Sequence, residues 1–139
     1  MVFDVELLAR RLRAAAEWVR GQPATRDFPV GYFGASTGAV AGVVSRGGRT
    51  DLAMPILPRV QAPTLLIVSD DDRPVIAMNE NALRRLRCEK RLTIVPGASH
   101  LFEEPGTLDE VVHLATAWFR EHLRAKRAAS RPPAGRARR

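Results

Sequence analysis

Gly31-Tyr32-Phe33-Gly34-Ala35-Ser36-Thr37-Gly38 carries a G-x-S-x-G pentapeptide directly behind a short apolar run that opens at Pro29. The pattern predicts a strand over residues 30–33, a sharp turn at Ser36 and a helix start just behind it. A serine at the apex of such a turn projects its hydroxyl out of the sheet. The two glycines let neighbouring backbone pass where a Cβ would clash. Ser36 is therefore a candidate nucleophile. The backbone N–H of Thr37, at the helix start, is a candidate oxyanion donor.

Working outward, helix and strand patterns alternate. Residues 4–20 place Val5, Leu8, Leu12, Ala15, Ala16 and Val19 on one helical face, with Asp4 and Gly21 as end signals. Val43-Val44-Ser45 is a second, short strand candidate. Thr64-Leu65-Leu66-Ile67-Val68 is apolar almost throughout, as a strand buried on both faces is. Residues 75–86 read as a helix with Ala82, Leu83 and Leu86 inward. Leu92-Thr93-Ile94-Val95 is a fourth strand, stopped by Pro96-Gly97. Thr107-Leu108-Asp109-Glu110 reads as a capping box opening a last helix, whose apolar face uses Val111, Leu114, Ala115, Trp118 and Phe119. This alternation predicts an α/β fold with a mostly parallel sheet of about four short strands flanked by helices.

In such sheets ligands sit beyond the carboxyl ends of the strands. Three segments leave strands at that edge with catalytic residue types. Ser36 follows the first strand, Asp70-Asp71-Asp72 the third, and Gly97-Ala98-Ser99-His100 the fourth. A serine hydroxyl needs a base to take its proton. Histidine titrates near neutrality and can take that proton and return it. A carboxylate on the far ring nitrogen fixes the tautomer and stabilises the imidazolium. The order Ser, acid, His is that of the α/β-hydrolase fold.

The chain resembles the α/β-hydrolase superfamily, and within it the dienelactone-hydrolase-like group, over about residues 1–123. The carrying stretches are Gly31 to Gly38, Val44-Ser45-Arg46-Gly47-Gly48-Arg49, Ala62 to Val68, and Val95-Pro96-Gly97-Ala98-Ser99-His100-Leu101-Phe102-Glu103-Glu104-Pro105-Gly106. The resemblance implies a serine hydrolase of ester or lactone type, with nucleophile Ser36, acid Asp72 and base His100. Asp72 is chosen by counting back three from Val75 in the G-x-x-D-x-x-V acid loop, where Ser69 replaces the glycine. Asp70 and Asp71 rank behind it, and Asp51, after the second strand, is an alternative. No His/Cys/carboxylate set has ligand spacing, so neither metal nor cofactor is expected.

Relatives in this group carry strands and a helix ahead of the segment that opens here, and a loop there supplies a second oxyanion donor. The sequence therefore reads as truncated at its start. It also reads as internally deleted behind the serine, since only Ala35 to Gly42, eight residues, separate Phe33-Gly34 from Val43. Parallel neighbours usually need a dozen or more. On this reading either a short helix with extended ends makes the return, or Val43-Val44 pairs poorly. The alternative to an enzyme is a catalytically impaired remnant that keeps the triad residues. The strand at 30–33 would then be an open edge, a route to self-association.

Composition bounds the remaining classes. The chain has 139 residues, 45% hydrophobic, and a net charge of +7. Residues 123–139 hold seven basic residues and no acid, leaving 15 basic and 15 acidic groups in the rest. The globular part thus shows no nucleic-acid surface. Residues 124–139 read as a basic, disordered tail behind a domain spanning 1–123. A tail-led RNA or lipid role is the minor reading. No apolar run spans a membrane, the acidic N-terminus does not resemble a secretory signal, and Cys88 is the single cysteine. These point to the cytoplasm. His113 and His122 read as surface residues of the last helix. Arg46 and Arg49 read as loop charges, with an anionic substrate as the alternative.

Overall fold

The computed structural model describes residues 5–26, 28, 30–33 and 42–129. Helix α1 (Val5–Gly21) leads to β1 (Gly31–Phe33) and β2 (Gly42–Arg46). Two short 3-10 turns, Thr50–Ala53 and Leu57–Arg59, carry the proline-bearing stretch. Then come β3 (Thr64–Ser69), α2 (Arg73–Arg85), β4 (Lys90–Val95) and α3 (Thr107–Ala129). The four strands form one parallel sheet in the order β1-β2-β3-β4.

Side-chain alternation along β3 sorts the core into two layers. Leu65 and Ile67 face α3 and pack with Val44, Val95, Ala98, Phe102, Val111, Ala115 and Trp118. Leu66 faces the other way, against Leu57, Ala82 and Leu86 below α2. Register explains the agreement between strands: Val44 stands beside Leu65, so both point to α3, while Val43 points to the opposite face with Ala62 and Tyr32. The Tyr32 hydroxyl donates to the Leu12 carbonyl at 2.9 Å, tying α1 to that opposite face. The result is an α/β/α arrangement with β3 sealed on both sides, as its unbroken apolar run requires.

The β1–β2 pair sets the distance that the short connection has to cover. Gly31 aligns with Gly42, Tyr32 with Val43 and Phe33 with Val44, so Val43-Val44 is paired with β1 along that strand's whole length. The return is short because β1 is short. From Phe33 the chain need travel back only two residue spacings, about 7 Å, and one strand sideways, about 5 Å. Eight residues can span roughly 26 Å. Glycine is also needed here. A Cβ on Gly31 would lie 2.6 Å from the Phe119 ring of α3.

Three local expectations change. Thr107 does not accept from Glu110; its hydroxyl donates to the Glu104 carbonyl at 2.8 Å, and the Glu110 N–H goes to Gly106. Helix α3 runs to Ala129, into the stretch read as tail, while residues 130–139 lie outside the described residues. His122 is buried rather than on the surface (7% exposed). It stands four residues beyond Trp118 on the same inward stripe, its ring 4.1 Å from the indole.

Candidate active site

Ser36 and Thr37 lie outside the described residues, as does the Asp4 cap. What the structure does bring together is the acid loop behind β3 and the histidine loop behind β4. These adjacent strands run parallel with Ser69 beside Val95, so their following loops leave the same edge.

Asp72 is the N-cap of α2, with Arg73-Pro74 forming the first turn. A proline there forfeits no helical bond. One carboxylate oxygen, Oδ1, accepts from the Val75 N–H at 3.2 Å. The other, Oδ2, lies 2.7 Å from His100 Nδ1. The cap fixes the carboxylate, and the carboxylate in turn selects the imidazole tautomer with its proton on Nδ1. Nε2 is left as an acceptor. The exposures suit that division: the Asp72 side chain is 19% exposed and that of His100 is 55% exposed.

With so little burial, His100 depends on its turn. Residues 97–101 are tethered one after another. The Gly97 N–H donates to Asp70 Oδ2 at 2.8 Å, with Gly97 at φ +68°. The Ala98 carbonyl accepts from the Asp71 N–H at 3.4 Å. The Ser99 N–H donates to Glu104 Oε2 at 2.9 Å, and the Ser99 carbonyl accepts from Phe102 at 3.0 Å. The Leu101 carbonyl accepts from Arg46 Nη1 at 3.2 Å, and the Arg46 guanidinium lies 5.3 Å from the Phe102 ring. Phe102, buried, adopts φ +60°, which turns the chain back toward Ser99. The Ser99 N–H holds the Glu104 carboxyl below its usual range.

Of the other acids, Asp70 serves the Gly97 backbone, and Asp51 forms a two-bond fork with Arg49, both bonds at 2.8 Å. Arg49 thereby holds the Asp51 carboxyl below its usual range. Arg46 and Arg49 thus both have protein partners. Gly47 closes the third side. A Cβ built on it would sit 3.6 Å from His100 Cε1, and its φ of +56° suits glycine. Behind it, buried Asn79 on α2 donates to the Gly48 carbonyl at 3.1 Å and anchors the loop.

The bracing by Glu104, Asp70, Arg46 and Gly47 was missed in the sequence. All but Asp70 lie in stretches that carry the family resemblance, which is the signal available there. Sequence spacing also missed one group that could hold a metal ion, Glu89, Glu121 and His122, whose ligand atoms lie within 4.8 Å of one another. It sits at the amino end of β4, about 20 Å of strand away from the His100 loop. Both glutamates are exposed, and His122 Nε2 is buried without a partner.

No family model matches the chain. Among curated proteins it is 52% identical, over 135 residues, to two proteins of Mycobacterium tuberculosis, one from strain CDC 1551 and one from strain H37Rv, each called "Putative phosphoribosyl transferase". That match takes in 88% of this chain but 30% of each relative. The relatives' name therefore describes much longer proteins. Moreover, 135 positions exceed 88% of 139, so the relatives carry residues inside the matched stretch that this chain lacks. Among solved structures, the crystal structure of a dienelactone hydrolase from Anabaena variabilis superposes with a TM-score of 0.80 at 54% identity, covering 86% of this chain and 62% of that one. The fold is that of an α/β-hydrolase. Within an α/β-hydrolase sheet, the loops behind β3 and β4 are where ligand chemistry belongs. Among the described residues no helix is long and apolar enough to cross a membrane.

Proposed function

We propose that the protein is a serine hydrolase acting on a small ester or lactone, with Ser36 as nucleophile, His100 as base, Asp72 as orienting acid and the Thr37 N–H as oxyanion donor. The observation that carries this reading is the 2.7 Å approach of Asp72 Oδ2 to His100 Nδ1 at the carboxyl edge of the sheet. The 54% identity to a dienelactone hydrolase supports it. In the first half-reaction Ser36 Oγ attacks the carbonyl carbon while His100 Nε2 takes its proton. The tetrahedral oxyanion collapses, the C–O bond breaks, and His100 returns the proton to the leaving alkoxide. For a lactone that alkoxide stays on the acyl chain. Water then attacks the acyl-serine by the same proton route, releasing the acid and restoring Ser36. Asp72 stabilises the imidazolium in both halves.

A fluorophosphonate probe tests this directly. Expected is labelling at Ser36 that disappears in Ser36→Ala and falls sharply in His100→Gln. Folded protein that stays unlabelled would end the proposal. It would favour the second reading, an impaired remnant, which the short stretch behind Ser36 and the extra residues of the relatives support.

A further inference from the structure

We infer that Glu104 is a positioning residue that holds the Ser99–Phe102 turn so that the His100 imidazole meets Asp72. His100 is more than half exposed, so packing does not fix its side chain. Its direction is set by the Asp72 bond and by the backbone that presents it. Ser99, the residue before it, has both backbone groups engaged: the N–H by Glu104 Oε2 and the carbonyl by Phe102. The Glu104 carbonyl is itself fixed by the Thr107 N–H and hydroxyl at the start of α3, at 3.1 and 2.8 Å. A line of support thus runs from the first turn of α3 through Glu104 to the peptide that carries His100. Glu103, its exposed neighbour, has no such bond among the described residues.

A rival role for Glu104 is to place negative charge near the N-terminus of α3. The two roles make opposite demands. Positioning needs the reach of a five-atom side chain with an acceptor at its end, which Gln keeps and Asp loses. Helix charge needs the charge, which Asp keeps and Gln loses. The test compares Glu104→Asp, Glu104→Gln and Glu103→Gln. It reads kcat and KM on p-nitrophenyl acetate, and the His100 imidazole nitrogen shifts in isotope-labelled protein, which report the Nδ1–H tautomer. Expected is about a tenfold lower kcat with KM within twofold for Glu104→Asp, and near-native values for the other two. The imidazole shifts should move toward those of an unpaired histidine in the Asp variant alone. The kinetic readout rests on the proposed triad, but the shifts do not. If the wild type shows no turnover, the hydrolase reading fails while the shifts still judge Glu104. Native shifts in Glu104→Asp, or an equal change in Glu104→Gln, would overturn the inference.

Discussion

Asp72 does two jobs with two oxygens, and substitution can separate them. Asparagine has one acceptor and one donor where aspartate has two acceptors. In Asp72→Asn the amide oxygen can keep the Val75 N–H, since Asn caps helices about as well as Asp. The NH2 group then faces His100 Nδ1 and selects the tautomer with its proton on Nε2, which under the proposed mechanism cannot take the Ser36 proton. In the serine-protease template that error costs about 10⁴ in kcat. With the imidazole here 55% exposed, water competes for Nδ1, and a loss of about 10³ is expected, or roughly 4 kcal/mol of transition-state stabilisation. Asp72→Ala removes the cap as well. The 3.2 Å cap bond contributes about 1 kcal/mol, which for a chain of this size lowers Tm by roughly 3–4 °C. Both variants should therefore be nearly inactive in ester hydrolysis, and only the alanine variant should lose Tm in calorimetry. Native turnover in Asp72→Asn would refute the tautomer argument. Equal Tm losses in the two variants would refute the division of labour between the oxygens.

Two further outcomes follow from the packing and the charges. Gly31→Ala drives a Cβ into the Phe119 ring and should cost about 1–3 kcal/mol in urea unfolding, most of it recovered by adding Phe119→Leu; failure of that rescue would place the fault in the backbone instead. The Asp51 and Glu104 carboxyls are both held below their ordinary range, the first by the Arg49 fork and the second by the Ser99 N–H. The folded state therefore binds these protons less readily than the unfolded chain. Their stabilisation is present above the unfolded values of about 4 and is lost as pH falls through the lower folded values. Tm should drop through this acid range, and the drop should be shallower in Asp51→Asn; an unchanged slope would remove Asp51 from the account.

Much of this molecule was legible before any coordinates. The unbroken apolar run at Thr64–Val68 could only be a strand covered on both sides, and β3 is that strand. The count back from Val75 picked Asp72 among three consecutive aspartates. The same spacing has a structural counterpart, since an N-cap carboxylate reaches the N–H three residues on and Asp72 makes that bond to Val75. Ser36 rests on the pentapeptide, the apolar run ahead of it and the order in which Asp72 and His100 follow, and it lies outside the described residues. Other features depended on partners distant in sequence. Helical period placed Trp118 inward, but polarity placed His122 outward. Its burial follows from the stripe it shares with Trp118 and the cover that the indole provides.

The sequence by itself determined the α/β alternation, the presence of four strands and the order in which the acid and the histidine follow theirs, because hydrophobic period and turn chemistry are local properties. Only the tertiary structure decided the register in which β1 and β2 pair, and with it the distance between Phe33 and Gly42 that their connection has to cover. Only it showed which oxygen of Asp72 meets His100, and that Glu104 reaches back to Ser99 rather than merely charging α3. Those are facts of hydrogen-bond direction across loops. No spacing along the chain encodes them until the sheet has set the loops side by side.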